Sequence, residues 1–309
     1  MKNPLQGVVR LTKTGLIRAQ GEDASKFLHN QLTQDFSLMS PAVARLAGFC
    51  SAKGRLQASF IGIKRSSDDI WLVCSKDLLA TTMKRLSMFV MRAKVKLTDA
   101  SDDVDMYGLV GHVAAAATHD IAGHLTSPWD AGSVHDASMV RLYPADGIER
   151  VLWVGPKGAS KPVGDAMNES LWDWTEVRSG VATVTLPVAD VFVPQMLNYE
   201  SIGGVNFKKG CYPGQEVVAR SQFRGTLKRR TYVAHAASSL VVGVELFSDG
   251  DPTQPCGVVV QSATAPNGGW DALVSMQISA FEGGSVHVGS PTGQPLSLTP
   301  APYPLLADI

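Results

Sequence analysis

The sequence predicts an α+β protein: a body with two related strand-strand-helix units, followed by a small all-β barrel. Three observations carry this reading. "GRLQASFIGI" and "DIWLVCS" read as strands around the polar turn Lys64 to Asp69, and behind them Leu78, Leu79, Met83, Leu86, Phe89 and Val90 recur at helical spacing. The same order returns in "SMVRLYP" and "RVLWVGP", joined at Ala145-Asp146-Gly147 and followed by a helix from about Lys161 through "LWDWTEVRSG". From Thr231 onward, "TYVAHA", "VGVELF", "GVVVQSA", "DALVSMQI" and "SVHVG" are short alternating runs between Gly, Pro, Asp and Asn clusters, with no helical stripe among them.

The remaining elements fit around these. Asp23 is placed to cap a helix running to Leu32, with Phe27, Leu28 and Leu32 on one face. "DMYGLVG" and "HVAAAATHDI" read as a strand and an alanine-rich helix between the two units. The boundary with the barrel falls near residues 226 to 231, and the proline-rich end, "SPTGQPLSLTPAPYPLLADI", is expected to be a surface tail.

With 309 residues, of which 45% are hydrophobic and 18% charged, the chain has the composition of a soluble protein of two or three domains. No apolar run approaches the roughly 18 residues of a membrane span, and the start lacks an apolar leader. A cytoplasmic location without membrane contact is the expectation. Cys50, Cys74, Cys211 and Cys256 lie far apart without a C-x-x-C, and the seven histidines form no H-E-x-x-H. This excludes a disulfide scaffold and offers no metal site.

Net charge is zero, but its layout is uneven. Between Lys208 and Arg230 seven basic residues meet one acid, Glu216, whereas Thr231 to Ile309 holds six acids and no Lys or Arg. Such a strip either faces its own acidic tail or draws an anion. Within it lies "KKGCYPGQEVVAR". Gly210 and Gly214 bracket Cys211-Tyr212-Pro213, which argues for a tight turn presenting the thiol on a loop. Lys208 and Lys209, with Arg220 or Arg224, are placed to favour the thiolate.

The segment "KKGCYPGQEVVAR" with "FRGTLKR" resembles the signature of the YgfZ family, folate-binding proteins related to the glycine cleavage T-protein and to a mitochondrial iron–sulfur assembly factor. "FLHNQLTQD", "CSAKGRL" and "FVPQMLNYESIGGVNF" extend the resemblance over about Gly21 to Arg230. It implies a T-protein-like body of three lobes around a central channel that accommodates tetrahydrofolate. Residues 1–225 would form the folate-binding body, discontinuous, with a second lobe at about 46–135, and 226–309 the barrel. The implied role is assembly or maintenance of iron–sulfur enzymes, including tRNA-modifying ones, by a monomer whose partners are folate, iron–sulfur client or assembly proteins and such tRNA-modifying enzymes. The resemblance makes Cys211 the functional thiol, as a redox, carrier or transient ligand group. Lys209, Gly210, Gly214, Glu216, Arg220, Gly225 and Arg230 complete the motif with Tyr212 and Gln215, which are also assigned to the cofactor.

The sequence departs from the T-protein pattern at two places. Where the relatives carry an acidic pair after the glycine-rich turn, Gln57 and Ala58 stand, and neither can act as a general base. Where an acid contacts the pterin in those relatives, Arg178 stands in "VRSG" and takes that place among the residues assigned to the cofactor. Trp172, eight residues before Gly180, matches a family tryptophan, and Trp172 or Trp174 would supply an aromatic wall for the pterin unless both serve as core residues. A tetrahydrofolate-dependent aminomethyl or one-carbon transferase is therefore the alternative reading. A second alternative is an RNA-binding module that uses the basic strip with Tyr212 and Phe223 interleaved.

Overall fold

The computed structural model describes residues 5–121, 125–224 and 227–306. The first half contains β1 (Gly7–Arg10), β2 (Thr14–Gln20), α1 (Ala24–Gln31), β3 (Arg45–Cys50), β4 (Leu56–Lys64), β5 (Asp69–Ser75), α2 (Lys76–Ser87) and β6 (Lys96–Asp99). It continues with β7 (Val104–Val110), α3 (His112–Asp120), β8 (Ala131–Val134), β9 (Ala137–Arg141), β10 (Arg150–Pro156), α4 (Glu169–Arg178) and α5 (Gln215–Phe223). The last part holds β11 (Arg229–Ala236), β12 (Glu245–Ser248), β13 (Gly257–Thr264), β14 (Trp270–Gln277), α6 (Ile278–Glu282), β15 (Val286–Val288) and β16 (Ser297–Thr299).

These strands form three sheets. One has the order β3-β4-β5-β2-β6, another β8-β9-β10-β7-β1, and the third β15-β12-β13-β14-β11-β16. The first two repeat one topology. In each, a strand and a helix lead into a three-strand meander whose last strand pairs back onto the first. The repeat read in the sequence is thus real but larger than its strand-strand-helix core, since it begins two strands and one helix earlier. The third sheet closes on itself. The backbone of Gln294 to Leu296 pairs with β15, then runs straight into β16 on the far side of β11.

Several elements differ from expectation. The helix expected from Lys161 begins only at Glu169, where the Asn168 side chain accepts from the Ser170 amide. Ahead of it the chain is extended and bonds to β1, Val8 donating to Asp165 and Met167 to Val8. The Asp23 carboxylate does not cap α1; it accepts instead from the Lys94 amide and so ties the helix entrance to the approach of β6. α2 stops at Ser87, which leaves Phe89 and Val90 beyond the helix. A short helix, α6, interrupts the barrel strands. The proline-rich end is not a loose surface tail either: Pro302 and Tyr303 pack on Gly180, the Tyr303 hydroxyl donates to the Gly180 carbonyl, and Leu306 donates to Ser201. Prolines suit such an extended strap because it needs few backbone donors. Among the described residues no helix is long and apolar enough to cross a membrane.

Candidate functional site

Two features stand out, a cysteine turn and a central cavity. The turn runs from Lys208 to Gly214 into α5, and Cys211 is exposed at its crest. Beneath it Lys209 is buried, its ammonium donating to the His29 carbonyl and, at 2.9 Å, to the Leu32 carbonyl. Those are the open carbonyls at the end of α1, where a cation offsets the helix dipole. The same ammonium lies 4.5 Å from the centre of the buried Tyr212 ring. Burial draws the Lys209 pKa down to about 8, and the neighbouring Asp35 and Cys211 oppose that fall.

Gly214 explains how the turn is held. Its φ is +78°, and a Cβ built there would lie 2.4 Å from the Ser51 carbonyl oxygen and 2.6 Å from Gly54 Cα. The loop between β3 and β4 and the cysteine turn therefore press backbone on backbone. The third flagged segment joins them. Thr33 donates to the Gly204 carbonyl, Gln34 to that of Gly203, and the Asn206 amide to that of Thr33. Alongside, His29 hydrogen-bonds Asp35 at 3.0 Å, and a Cβ on Gly210 would sit 3.4 Å from His29 Nε2. Segments far apart in the sequence thus converge under one exposed thiol.

The rest of the motif is structural in placement. Gln215 and Glu216 open α5, and Glu216 pairs with Arg220 one turn on. Arg230 makes a buried ion pair with Glu200. Gly225 lies outside the described residues. Of the basic strip, Lys209 and Arg230 are buried, Arg229 is partly so and donates to the Cys256 carbonyl, and Arg220 is paired. Lys208, Arg220, Arg224 and Lys228 stay exposed, as does Phe223, so the RNA-binding alternative keeps four of the seven cations at the surface and loses one of its two interleaved aromatics with the burial of Tyr212.

The cavity, of about 240 Å³, lies where all three sheets meet. β4 contributes Ser59, Phe60 and Ile61, β10 Arg150 and Leu152, β13 Val260 and Gln261, and α4 one face consisting of Glu169, Trp172, Asp173 and Glu176. None of the residues that line it belongs to the cysteine turn or to α5. Of the five residues expected to hold a cofactor, only Trp172 lines it. Tyr212 and Gln215 sit at the cysteine turn instead. Two residues on from Trp172 and Glu176, α4 has rotated by about 200°, which turns Trp174 and Arg178 elsewhere. Trp174 donates to Asp271 at 2.7 Å, and Arg178 makes a two-point contact with Asp146. Gln57 and Ala58 are not lining residues either.

Trp172 is no bare stacking wall. Its six-membered ring rests on Gly108, where a Cβ would come within 2.3 Å, and the Arg150 guanidinium carbon lies 4.4 Å from a ring centre. The acids of α4 went unnoticed in the sequence, although Glu169, Asp173 and Glu176 follow the i, i+4, i+7 spacing of one helix face. Burial raises the pKa of Asp173, against the opposing pull of the Lys13 ammonium, and burial likewise raises that of Glu176 against Arg150. Burial lowers that of Arg150 to about 10, with Glu176 opposing.

No protein-family model matches the chain. The chain is 28% identical over 310 aligned residues to a tRNA-modifying protein YgfZ from Klebsiella pneumoniae (strain 342), covering 96% of this chain and 93% of that protein. The solved structure of glycine cleavage system aminomethyltransferase T from Bartonella henselae superposes with a TM-score of 0.68, covering 96% of this chain and 85% of that one at 14% identity. A heterotetrameric sarcosine oxidase from Corynebacterium aligns over 47% of this chain and 73% of its own at a TM-score of only 0.33, with 13% identity, too low to bear on the fold. The chain thus resembles YgfZ in sequence along nearly its whole length and has the T-protein-like fold.

Proposed function

We propose that this protein is a folate-binding accessory factor for iron–sulfur enzymes, among them enzymes that modify tRNA, and that it acts through the Cys211 thiol. The reading describes a monomer working in the cytoplasm. The observation that carries it is the convergence of the separate motif segments under one exposed thiol, apart from a cavity suited to a ligand. The similarity to a tRNA-modifying protein over 96% of the chain supports the tRNA side of the proposal. The iron–sulfur side comes with the family that the signature resembles.

The residues of the cavity fit a folate. Phe60, Leu142 and Leu152 give apolar walls, and Arg150, 3% exposed, keeps Nε and Nη2 without hydrogen-bond partners. A buried guanidinium with open donors is costly unless a ligand acceptor meets them. Arg150 and Glu176 would hold the head of the cofactor. Bound tetrahydrofolate supplies a carrier for one-carbon units. The transferase alternative lacks its acids on β4, where Gln57 and Ala58 stand; among the described residues the carboxylates that line the cavity are those of α4.

The test is titration of the purified protein with tetrahydrofolate, followed by tryptophan fluorescence. Saturable quenching is expected, with the same affinity in Cys211→Ala, because the thiol lies outside the cavity. Absence of binding by the wild-type protein would remove folate from the reading.

A further inference from the structure

No residue of the cysteine turn lines the cavity, yet Trp129 lines the cavity and also grips the segment that leads into the turn. Its indole Nε1 donates at 2.8 Å to the carbonyl of Ile202, nine residues before Cys211. The indole also borders Gly203, where a Cβ would lie 3.9 Å from Trp129 Cδ1. Its ring neighbour is Tyr143, another lining residue, with ring centres 5.7 Å apart.

The backbone at Trp129 is unusual. Its φ is +73°, a left-handed value that bulky residues avoid and that persists only where the surroundings impose it. Here they do, since the Trp129 amide donates to the Arg141 carbonyl and the Trp129 carbonyl accepts from the Ala44 amide, both at 2.8 Å. This clamp sets the direction in which the side chain leaves the backbone, and the indole N–H meets Ile202.

Beyond Ile202 the segment is bound almost peptide by peptide to the residues that follow α1. Gln34 donates to the Gly203 carbonyl and Thr33 to that of Gly204, while the Asn206 amide donates back to the Thr33 carbonyl. The Lys208 amide donates to the Asn206 side chain, and Lys209 then closes onto the Leu32 carbonyl at 2.9 Å, two residues before the thiol. A run of hydrogen bonds and short covalent steps therefore leads from a wall of the cavity to the turn that carries Cys211. A ligand packed against the indole restricts that ring, and ordering one end of such a run stabilises the groups it holds.

We propose that Trp129 is a positioning residue that passes occupancy of the cavity to the cysteine turn, through the Nε1–H it donates to Ile202. This rests on the reading of the cavity as a folate site and adds how a ligand and a thiol that lie apart act on one another. By linkage the effect is reciprocal, so an ordered turn favours the ligand by the same factor.

The experiment is amide hydrogen exchange of the purified full-length protein, free and saturated with tetrahydrofolate. It reads the Gly204 and Asn206 amides, which donate to the Tyr199 and Thr33 carbonyls. Their exchange is expected to slow about 5-fold or more on binding. That slowing exceeds any in β15, which contributes no lining residue and reports stabilisation of the whole fold. In Trp129→Phe, which keeps an aromatic ring but loses the donor, saturating ligand still slows exchange in α4 but no longer at these two amides. Without ligand, the variant already exchanges faster there than the wild type does. Unchanged exchange at Gly204 and Asn206 in the liganded wild type overturns the proposal without any variant. Equal slowing in a folded Trp129→Phe does so as well, since the route cannot then run through Nε1. Either result leaves folate binding intact. Failure of the wild type to bind tetrahydrofolate refutes the folate reading and the ligand half of the proposal, and the comparison without ligand still decides whether Trp129 holds the turn.

Discussion

Arg230→Met is expected to lower the free energy of unfolding by about 3–5 kcal/mol, the usual consequence of removing one member of a buried ion pair. Arg230 is the second residue of β11, and its partner Glu200 sits in the loop that leads toward the cysteine turn; both are 5% exposed. Without the guanidinium, a carboxylate is left in the interior with Oε2 already lacking a hydrogen-bond partner. The neighbouring contact would not compensate. Asn198, which accepts from the Thr231 amide and donates to the Thr231 carbonyl, holds the same junction but carries no charge. The double variant Arg230→Met/Glu200→Leu is expected to recover most of the loss, since it leaves no unpaired charge. Urea unfolding of the single and double variants would measure this through the midpoint at an unchanged slope. A cost for Arg230→Met below about 1 kcal/mol, the range of surface pairs, would show that the pair is not energetically buried.

Gly214→Ala has the second largest expected effect, and Gly147→Ala provides its control. Both glycines have positive φ, +78° and +81°. Around Gly147 no atom lies within 4 Å of an added Cβ, so only the left-handed strain of about 1–2 kcal/mol applies there. At Gly214 the added carbon meets the backbone of Ser51 and Gly54, which cannot swing aside as a side chain would. Overpacking of this kind adds about 1–3 kcal/mol. The gap between the two variants in thermal or urea unfolding therefore isolates the backbone contact under the thiol. Equal costs for the two would mean that the cysteine turn does not depend on that contact.

Much of this architecture was legible in local patterns. Alternating runs and helical stripes gave the strands of the meanders and α2, and the bracketing glycines placed Cys211 on an exposed turn. What escaped were consequences of long-range contacts. Lys209 reads as a cation beside a thiol, yet its ammonium caps α1 about 180 positions away in sequence. Arg230 reads as part of a basic strip, yet it is neutralised by a glutamate thirty residues upstream. The tryptophans of "LWDW" stand out for their size, whereas the charged lining of the cavity comes from the acids interleaved with them and from Arg150, a residue with no motif around it. The late start of α4 has a similar origin, because the preceding segment bonds to β1, which lies far earlier in the sequence. No local propensity encodes such a pairing.

The central claim is that the Cys211 thiol, rather than chemistry within the cavity, is what the accessory role depends on. Its most direct test is the activity of a cluster-dependent tRNA methylthiolase in cells lacking this protein and supplied with either the wild type or Cys211→Ala. Because Cys211 is exposed, the variant is expected to fold and to unfold at the wild-type urea midpoint. The expected result is methylthiolation no higher in cells with the variant than in cells without the protein. Wild-type methylthiolation supported by Cys211→Ala would contradict the role assigned to the thiol.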